Sequence, residues 1–381
     1  MKKNIIIMYT ISFLQGMVFY ASISTLYRQA YGITLLQMGI IESVLAFLTI
    51  VLEVPWGILC DRMGYKKTLI TCNALYLISK IVFYQAHNFP MFLLERVLLA
   101  IVIAGLSGCD TALLYESIEE KESTKVFGIY NACGTLGLLL AALLFSLYIQ
   151  EDLLKASLWT IYPYAIAFFL TLFLQDVKKQ GDSKEIISYK DITVLFKEKK
   201  NWIVFLLAVS LFNETVHTLG TFYNQLQYER VGIDIEWFGI LYTLITLCTL
   251  SSAMIGKIVR YIKEETLISY LYILVISTCI LLYFTTSPIL SILCIMILQV
   301  SEALFYPLTN TLLNQNITNN RATILSCYSM LMNCNGMMTN IVFGKAADID
   351  LVVAIIVGIV FLTIGFLLYQ KWQKIQRECK E

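Results

Sequence analysis

Residues 53–67 read EVPWGILCDRMGYKK. Glu53 and Pro55 close one apolar run, two glycines (Gly57 and Gly64) bracket the pair Asp61–Arg62, and Lys66 and Lys67 open the next run. Charges crowded into so short a turn between two oily segments mark a membrane surface, because basic residues collect in the cytoplasmic loops of spanning proteins. Gly57 and Gly64 permit a close approach and a tight turn.

The whole chain has the composition this turn implies. Of 381 residues, 58% are hydrophobic and only 14% charged, against about 25% charged in a soluble domain. Mean hydropathy is +0.72. Net charge is +1 with no isolated basic block, which gives nucleic acid nothing to bind. The ten cysteines form no C-x-x-C pair, and His87 and His217 are far apart, so neither a disulfide framework nor a zinc site has its spacing. The cysteines read as small buried hydrophobes. No metal or organic cofactor is expected. The apolar run after Lys2 and Lys3 continues to about Leu26, long enough to span a bilayer and too long for a signal peptide.

Spanning-length runs fall at 4–26, 38–58, 68–86, 91–115, 126–149 and 157–175, then at 202–224, 236–256, 266–285, 288–312, 322–345 and 350–371. The expected fold is therefore an all-α integral membrane protein of twelve transmembrane helices in two pseudo-symmetric six-helix bundles, 1–175 and 202–372. A cytoplasmic linker at 176–201 joins them, with a short surface helix expected near 192–196, and a tail follows at 373–381. All but six of the 28 Lys and Arg fall on the side that holds both termini. The positive-inside bias makes that side cytoplasmic. The tryptophans (56, 159, 202, 237 and 372) lie near predicted helix ends, where the interface favours them.

An ionisable group inside a spanning helix costs about 2.5–3.5 kcal/mol and defaults to a functional role. Candidates for carrying a proton are Glu302, Glu214, His217, Asp110 and Glu53. Glu214 and His217 are three apart on one helical face, and Glu302 heads a stripe with Tyr306 and Asn310. Glu42 shares a face with Glu53, eleven residues on. Lys80, Arg96 and Glu42 lie nearer the outer surface, where the cations could snorkel or be neutralised by Glu95 or Glu42. A salt bridge at the inner gate competes with proton carriage for Asp110, and Glu53, a turn from Gly57, reads as a gate partner.

Gly57, Leu59, Asp61, Arg62, Gly64 and Lys66 match the pattern G-x-L-a-D-r-x-G-r-k, and in this the chain resembles the major facilitator superfamily (MFS). GIIESVLAFLTIVLEVPWG, LSGCDTALLYESI and NRATILS resemble its bacterial multidrug and macrolide-type branch. Helix 5, with Gly128, Gly134 and Gly137, lacks the proline of the antiporter motif, and GKIVRYIK (256–263) is a degraded second copy of the first motif. The resemblance implies a cytoplasmic gate of Gly57, Asp61, Arg62, Gly64, Lys66, Glu116 and Arg321. In it Asp61 meets the start of helix 11 near Arg321, and Arg62 pairs with Glu116 or Asp110. It also implies a cavity lined by helices 1, 4, 7 and 10, with Gln15, Tyr20, Arg96, Asn213, Tyr306 and Asn310 available to substrate.

The expectation is a secondary active transporter, not an enzyme, that works by alternating access. It would sit as a monomer in the lipid bilayer of a bacterial cytoplasmic membrane and export a small amphipathic or drug-like molecule against H+. A carboxylate in apolar surroundings can load a proton near neutral pH. The alternative is a proton-symport importer of a nutrient, peptide or siderophore. More remote are a receptor or scaffold without transport, and a membrane enzyme, for which no H-E-x-x-H, G-x-S-x-G or Walker A pattern is present.

Overall fold

A computed structural model of the chain describes residues 2–107, 109–118, 123–175, 200–250, 255–315 and 321–378. The short surface helix expected near 192–196 lies outside them. Every regular element among these residues is helical. In chain order they are α1 (Lys2–Gly16), α2 (Ser24–Ala30), α3 (Leu35–Met63), α4 (Tyr65–Gln85), α5 (Phe89–Leu106), α6 (Cys109–Glu116), α7 (Ser123–Leu144) and α8 (Leu153–Thr171). There follow α9 (Lys200–His217), α10 (Asn224–Arg230), α11 (Phe238–Thr249), α12 (Ile255–Ile258), α13 (Glu264–Phe284), α14 (Pro288–Gln315), α15 (Arg321–Ile349) and α16 (Leu351–Glu378).

Nine helices among the described residues are long and apolar enough to cross a membrane. Three expected spans fall on helices outside that set: α4, which carries Asn73, Ser79 and Lys80 in its interior, the shorter α11, and α15. The second expected span is longer than its apolar run. α3 passes through Pro55 and ends only at Met63, and Gly64, at φ 82°, makes the turn into α4.

An internal repeat is visible in the caps. α2 ends at Gly32 (φ 76°) and α10 at Gly232 (φ 75°), 200 positions on. At the first, Gly32 N–H donates to Gln29 O at 2.8 Å and Ile33 N–H to Arg28 O at 3.1 Å. At the second, Gly232 N–H donates to Glu229 O at 3.0 Å and Ile233 N–H to Tyr228 O at 2.9 Å. Both are the left-handed glycine cap with paired 5→2 and 6→1 bonds.

The chain forms two compact units. One comprises Met1–Ile33, Val44–Ser183 and Ile235–Thr243, the other Thr34–Ser43, Lys184–Asp234 and Leu244–Glu381. Each takes in a short segment from the opposite end of the sequence, and a glycine explains each case. In the first unit, a Cβ on Gly239 would strike the Ala142 carbonyl of α7, and Ile240 N–H donates to Ser146 Oγ at 3.1 Å. In the second, a Cβ on Gly39 would strike the Asn340 carbonyl of α15. There Asp348 also accepts from the free N–H groups of Leu35 and Leu36 at the start of α3, at 2.6 and 3.2 Å.

Small residues also let α1 meet α7 within the first unit. A Cβ on Gly16 would enter the Gly134 carbonyl, and one on Gly137 the Phe13 carbonyl. Apolar side chains gain little by leaving lipid for a protein neighbour, so close backbone packing through small residues supplies the association. In the second unit the aromatic side chains of α9 and α16 interlock, with Trp202 5.5 Å from Trp372 and both buried. These two tryptophans and the buried Trp56 are packed inward rather than exposed as interface markers.

Gly137→Val is expected to destabilise the protein by about 1–3 kcal/mol, the usual cost of overpacking. Gly128→Val, where a Cβ meets nothing within 4 Å, should leave stability unchanged. Thermal unfolding of the two variants in detergent checks the contrast.

Candidate functional site

The second unit gathers the charged residues that the sequence placed on separate helices. α9 runs to His217 and then loosens into a π turn over Thr218–Phe222, closed by Tyr223 N–H to Thr218 O at 2.9 Å. Such wide turns recur at functional sites because they re-aim side chains without ending the helix. Glu214 and His217 lie just before it. His217 Nδ1 stands 3.3 Å from Glu302 Oε1 of α14, within hydrogen-bonding reach whichever tautomer is present. The pair is partly accessible, 47% and 25% exposed.

The neighbours hold this arrangement in place. Gln299, three residues before Glu302 on α14, donates from Nε2 to Thr221 Oγ1 in the π turn at 3.0 Å. Gly220 makes room for it, since a Cβ there would stand 2.5 Å from Gln299 Nε2. The Glu214 carboxylate rests on the bare backbone of Gly336 in α15, where a Cβ would be 2.7 Å from Oε1 and 3.1 Å from Oε2. Beside it Asn335 Nδ2 donates to Ser210 Oγ at 2.9 Å, and Ser210 donates to Met332 O at 3.2 Å. Phe222 meets His217 edge-on at 5.3 Å, and Phe212 stacks on Phe305 at 3.7 Å. Glu42 of α3 also acts on His217 electrostatically. Three carboxylates thus surround one imidazole, a set that can hold, share and release protons.

The expected i, i+3 partnership gives way to a longer-range one: the described hydrogen bond of His217 goes to Glu302, not to Glu214. Asn213 is half-buried, Asn310 lies two turns beyond Glu302, and Tyr306, one turn on, is 64% exposed. Gln299, Ser210, Asn335 and Gly336 were not anticipated. Only Gln299 carried a usable signal, its position one turn from Glu302 on the same face.

The first unit holds a different cluster. Lys80, expected either to snorkel or to be neutralised by Glu95 or Glu42, does not snorkel and is only 4% exposed. Its ammonium donates to Tyr20 Oη at 3.0 Å and stands 5.5, 5.1 and 5.0 Å from the rings of Tyr20, Tyr76 and Tyr164. Three π faces stabilise a desolvated cation. Glu95 is fully buried, 3.6 Å from Arg96, and Arg28 lies 5.9 Å from the Phe83 ring centre. Deeper along the bundle, Gln15 Nε2 donates to Asn73 Oδ1 at 2.7 Å, and Tyr164 donates to Gln15 O at 2.6 Å. Gln15 and Tyr20 are therefore both tied into bonds within this unit.

Asp110 opens α6, accepting from Tyr130 Oη at 3.0 Å and from Thr111 N–H at 2.6 Å. Glu53, Asp61 and Arg62 are exposed, while Lys66 and Glu116 are half-buried. A Cβ on Gly57 would meet nothing within 4 Å among the described residues, so no close approach is seen at that position. The side chain of Arg321 lies outside the described residues.

Long apolar helices with ionisable side chains buried among them mark a polytopic membrane protein. The chain belongs to the Major Facilitator Superfamily, whose family model matches residues 5–340. It is 24% identical over 367 residues to an uncharacterized MFS-type transporter of Methanocaldococcus jannaschii, covering 92% of each chain. To the multidrug resistance protein MdtG of Salmonella arizonae it is 23% identical over 358 residues, covering 91% of this chain and 88% of that one. The crystal structure of the nucleoside transporter NupG superposes with a TM-score of 0.79 at 15% identity, over 98% of this chain and 99% of that one.

Lys80→Met is expected to be neutral or stabilising, since an apolar isostere keeps the cage filled without a buried charge. Tyr20→Phe removes the Lys80 acceptor and should cost about 1–3 kcal/mol. Thermal unfolding separates the two, and equal losses would mean that the ammonium itself holds the bundle together.

Proposed function

We propose that this transporter couples the movement of H+ to the export of a small amphipathic or cationic molecule across the cytoplasmic membrane. The observation that carries the reading is the His217–Glu302 pair at 3.3 Å, with Glu214 seated on Gly336 in the same unit. A partly accessible carboxylate–imidazole pair can pass one proton between two sites without moving a heavy atom far. With Glu42 added, the group holds three carboxyl groups to one imidazole. It therefore favours a cation, which can compete with protons for the same carboxylates. The likeness to MdtG, a multidrug resistance protein, supports the direction. Proton-symport import of a nutrient is the rival reading, and the likeness to a nucleoside transporter keeps it in view.

In this reading EVPWGILCDRMGYKK is the cytoplasmic latch, and both termini lie on its side of the membrane. Asp61 is exposed, and its carboxylate is of the charge that the positive end of a helix attracts. The protein acts as a monomer and needs no cofactor beyond the coupling ion.

Glu302→Gln is expected to abolish proton-coupled flux of a lipophilic cation in proteoliposomes while the protein remains in the membrane. Undiminished coupled flux would remove Glu302 from the mechanism, and uptake driven by an inward pH gradient would establish the importer instead. Asp61→Asn should open the inner side, read as faster maleimide labelling of cysteines introduced there. Unchanged labelling would overturn the latch.

A further inference from the structure

The cysteines read from the sequence as small hydrophobes include one pair with a second property. Cys60 lies near the inner end of α3, immediately before Asp61, and Cys109 opens α6, immediately before Asp110. Their sulfurs are 3.3 Å apart, with the Cys60 thiol directed at Cys109 Sγ. The Cys109 thiol in turn faces Tyr65 O at 3.7 Å. Neither sulfur is in a disulfide, and the two residues are 9% and 3% exposed, set among Met8, Leu69, Leu113 and Leu114. A disulfide holds its sulfurs at about 2.05 Å, so a modest approach of two side chains would close one.

The surrounding backbone gives such a bond a consequence. α5 ends at Leu106, and Ser107, at φ −53° and ψ 112°, leaves the helical path before α6 begins at Cys109. α6 is thus a separate two-turn helix, joined to α5 by a break in the backbone ladder. It carries Asp110, held by Tyr130, and leads to Ser117, which lies 3.5 Å from Asn4 Nδ2 of α1. Its independence depends on side-chain contacts that a covalent bond to α3 would override.

We propose that Cys60 and Cys109 form an oxidisable dithiol, reduced in the working protein and closed by small neutral hydroperoxides, which pins α6 to α3 when it closes. The step balances as two thiols and hydrogen peroxide giving one disulfide and two waters. The Cys60 sulfur, the more exposed, attacks one peroxide oxygen to give a sulfenic acid and release the first water. The Cys109 sulfur then attacks the sulfenic sulfur, forming the S–S bond and expelling the second water. The two sulfurs lose two electrons and the peroxide gains them. The apolar wall keeps charged reagents away from both sulfurs. That restriction fits a pair that stays reduced under ordinary cytoplasmic conditions and closes only transiently. Cys72, whose sulfur packs against Gly105 on the neighbouring face, is the control thiol.

The test uses the full chain in lipid nanodiscs, treated with hydrogen peroxide and then with dithiothreitol. Peptide mapping should find Cys60 linked to Cys109 after peroxide and free after dithiothreitol. Cys72→Ser should preserve the link, and Cys60→Ser and Cys109→Ser should each abolish it. Hydrogen exchange across residues 109–116 should slow by roughly tenfold or more in the linked protein, because local opening of α6 is suppressed. Absence of the linked peptide in the wild-type chain overturns the dithiol. A link that leaves exchange in α6 unchanged overturns the pinning. The wild-type comparison before and after dithiothreitol decides both points even if a serine variant fails to accumulate.

Discussion

In hydrocarbon no water is available to a backbone N–H or C=O, so each must find its partner within the protein. The rest of this structure follows from that constraint. It makes the chain helical wherever it is apolar. It also dictates that departures from the α-helix occur only where another side chain can take up the freed groups. The break after α1 shows the rule. Past Gly16 the helical ladder stops, the Gln15 carbonyl accepts from Tyr164 at 2.6 Å, and Phe19 N–H donates to Thr160 Oγ1 at 3.1 Å. Both partners come from α8, so the irregular stretch is held by a helix of its own unit.

The two π turns answer the same constraint. At Phe145–Ile149 the widened turn carries Ser146, which accepts the N–H of Ile240 beside Gly239. At Thr218–Phe222 it carries Thr221, which takes a hydrogen bond from Gln299. In each case one irregular turn sets a polar side chain against a neighbouring helix at a place where a glycine has cleared the way. The second instance also fixes the chemistry, because Gln299 and Glu302 share a face of α14, and tethering one places the other beside His217.

The helices were legible because their signal is one of composition, which lipid enforces over some twenty residues at a time. The motif around Asp61 was legible because its charges stand out against an apolar background. The intramembrane acids were visible singly for the same reason. What the sequence could not supply was which of them meet. His217 has Glu214 three residues away but bonds to Glu302, 85 positions along the chain. Choosing between them needs the packing of α9 on α14, which rests on Gly220 and the stack of Phe212 on Phe305. Gly336 carries no chemistry of its own and became significant only when the carboxylate of Glu214 was found lying on it. For Lys80 the sequence left snorkelling and neutralisation by a neighbouring acid both open, because its distance from the helix end allowed either. The three tyrosines that capture it come from α4 itself, the segment after α1, and α8.

The two units solve the problem of a buried charge in opposite ways, and the difference bears on what each can do. In the first, Lys80 donates to one phenol oxygen and is ringed by three aromatic faces. In the second, Glu302 and His217 face each other at 3.3 Å with part of each side chain accessible. There a carboxylate and an imidazole stand within reach of one proton. A caged cation stabilises one electrostatic state, whereas an acid–imidazole pair permits several. Proton coupling requires a site whose occupancy changes during the cycle, which is the ground for proposing the pair in the second unit as the working site.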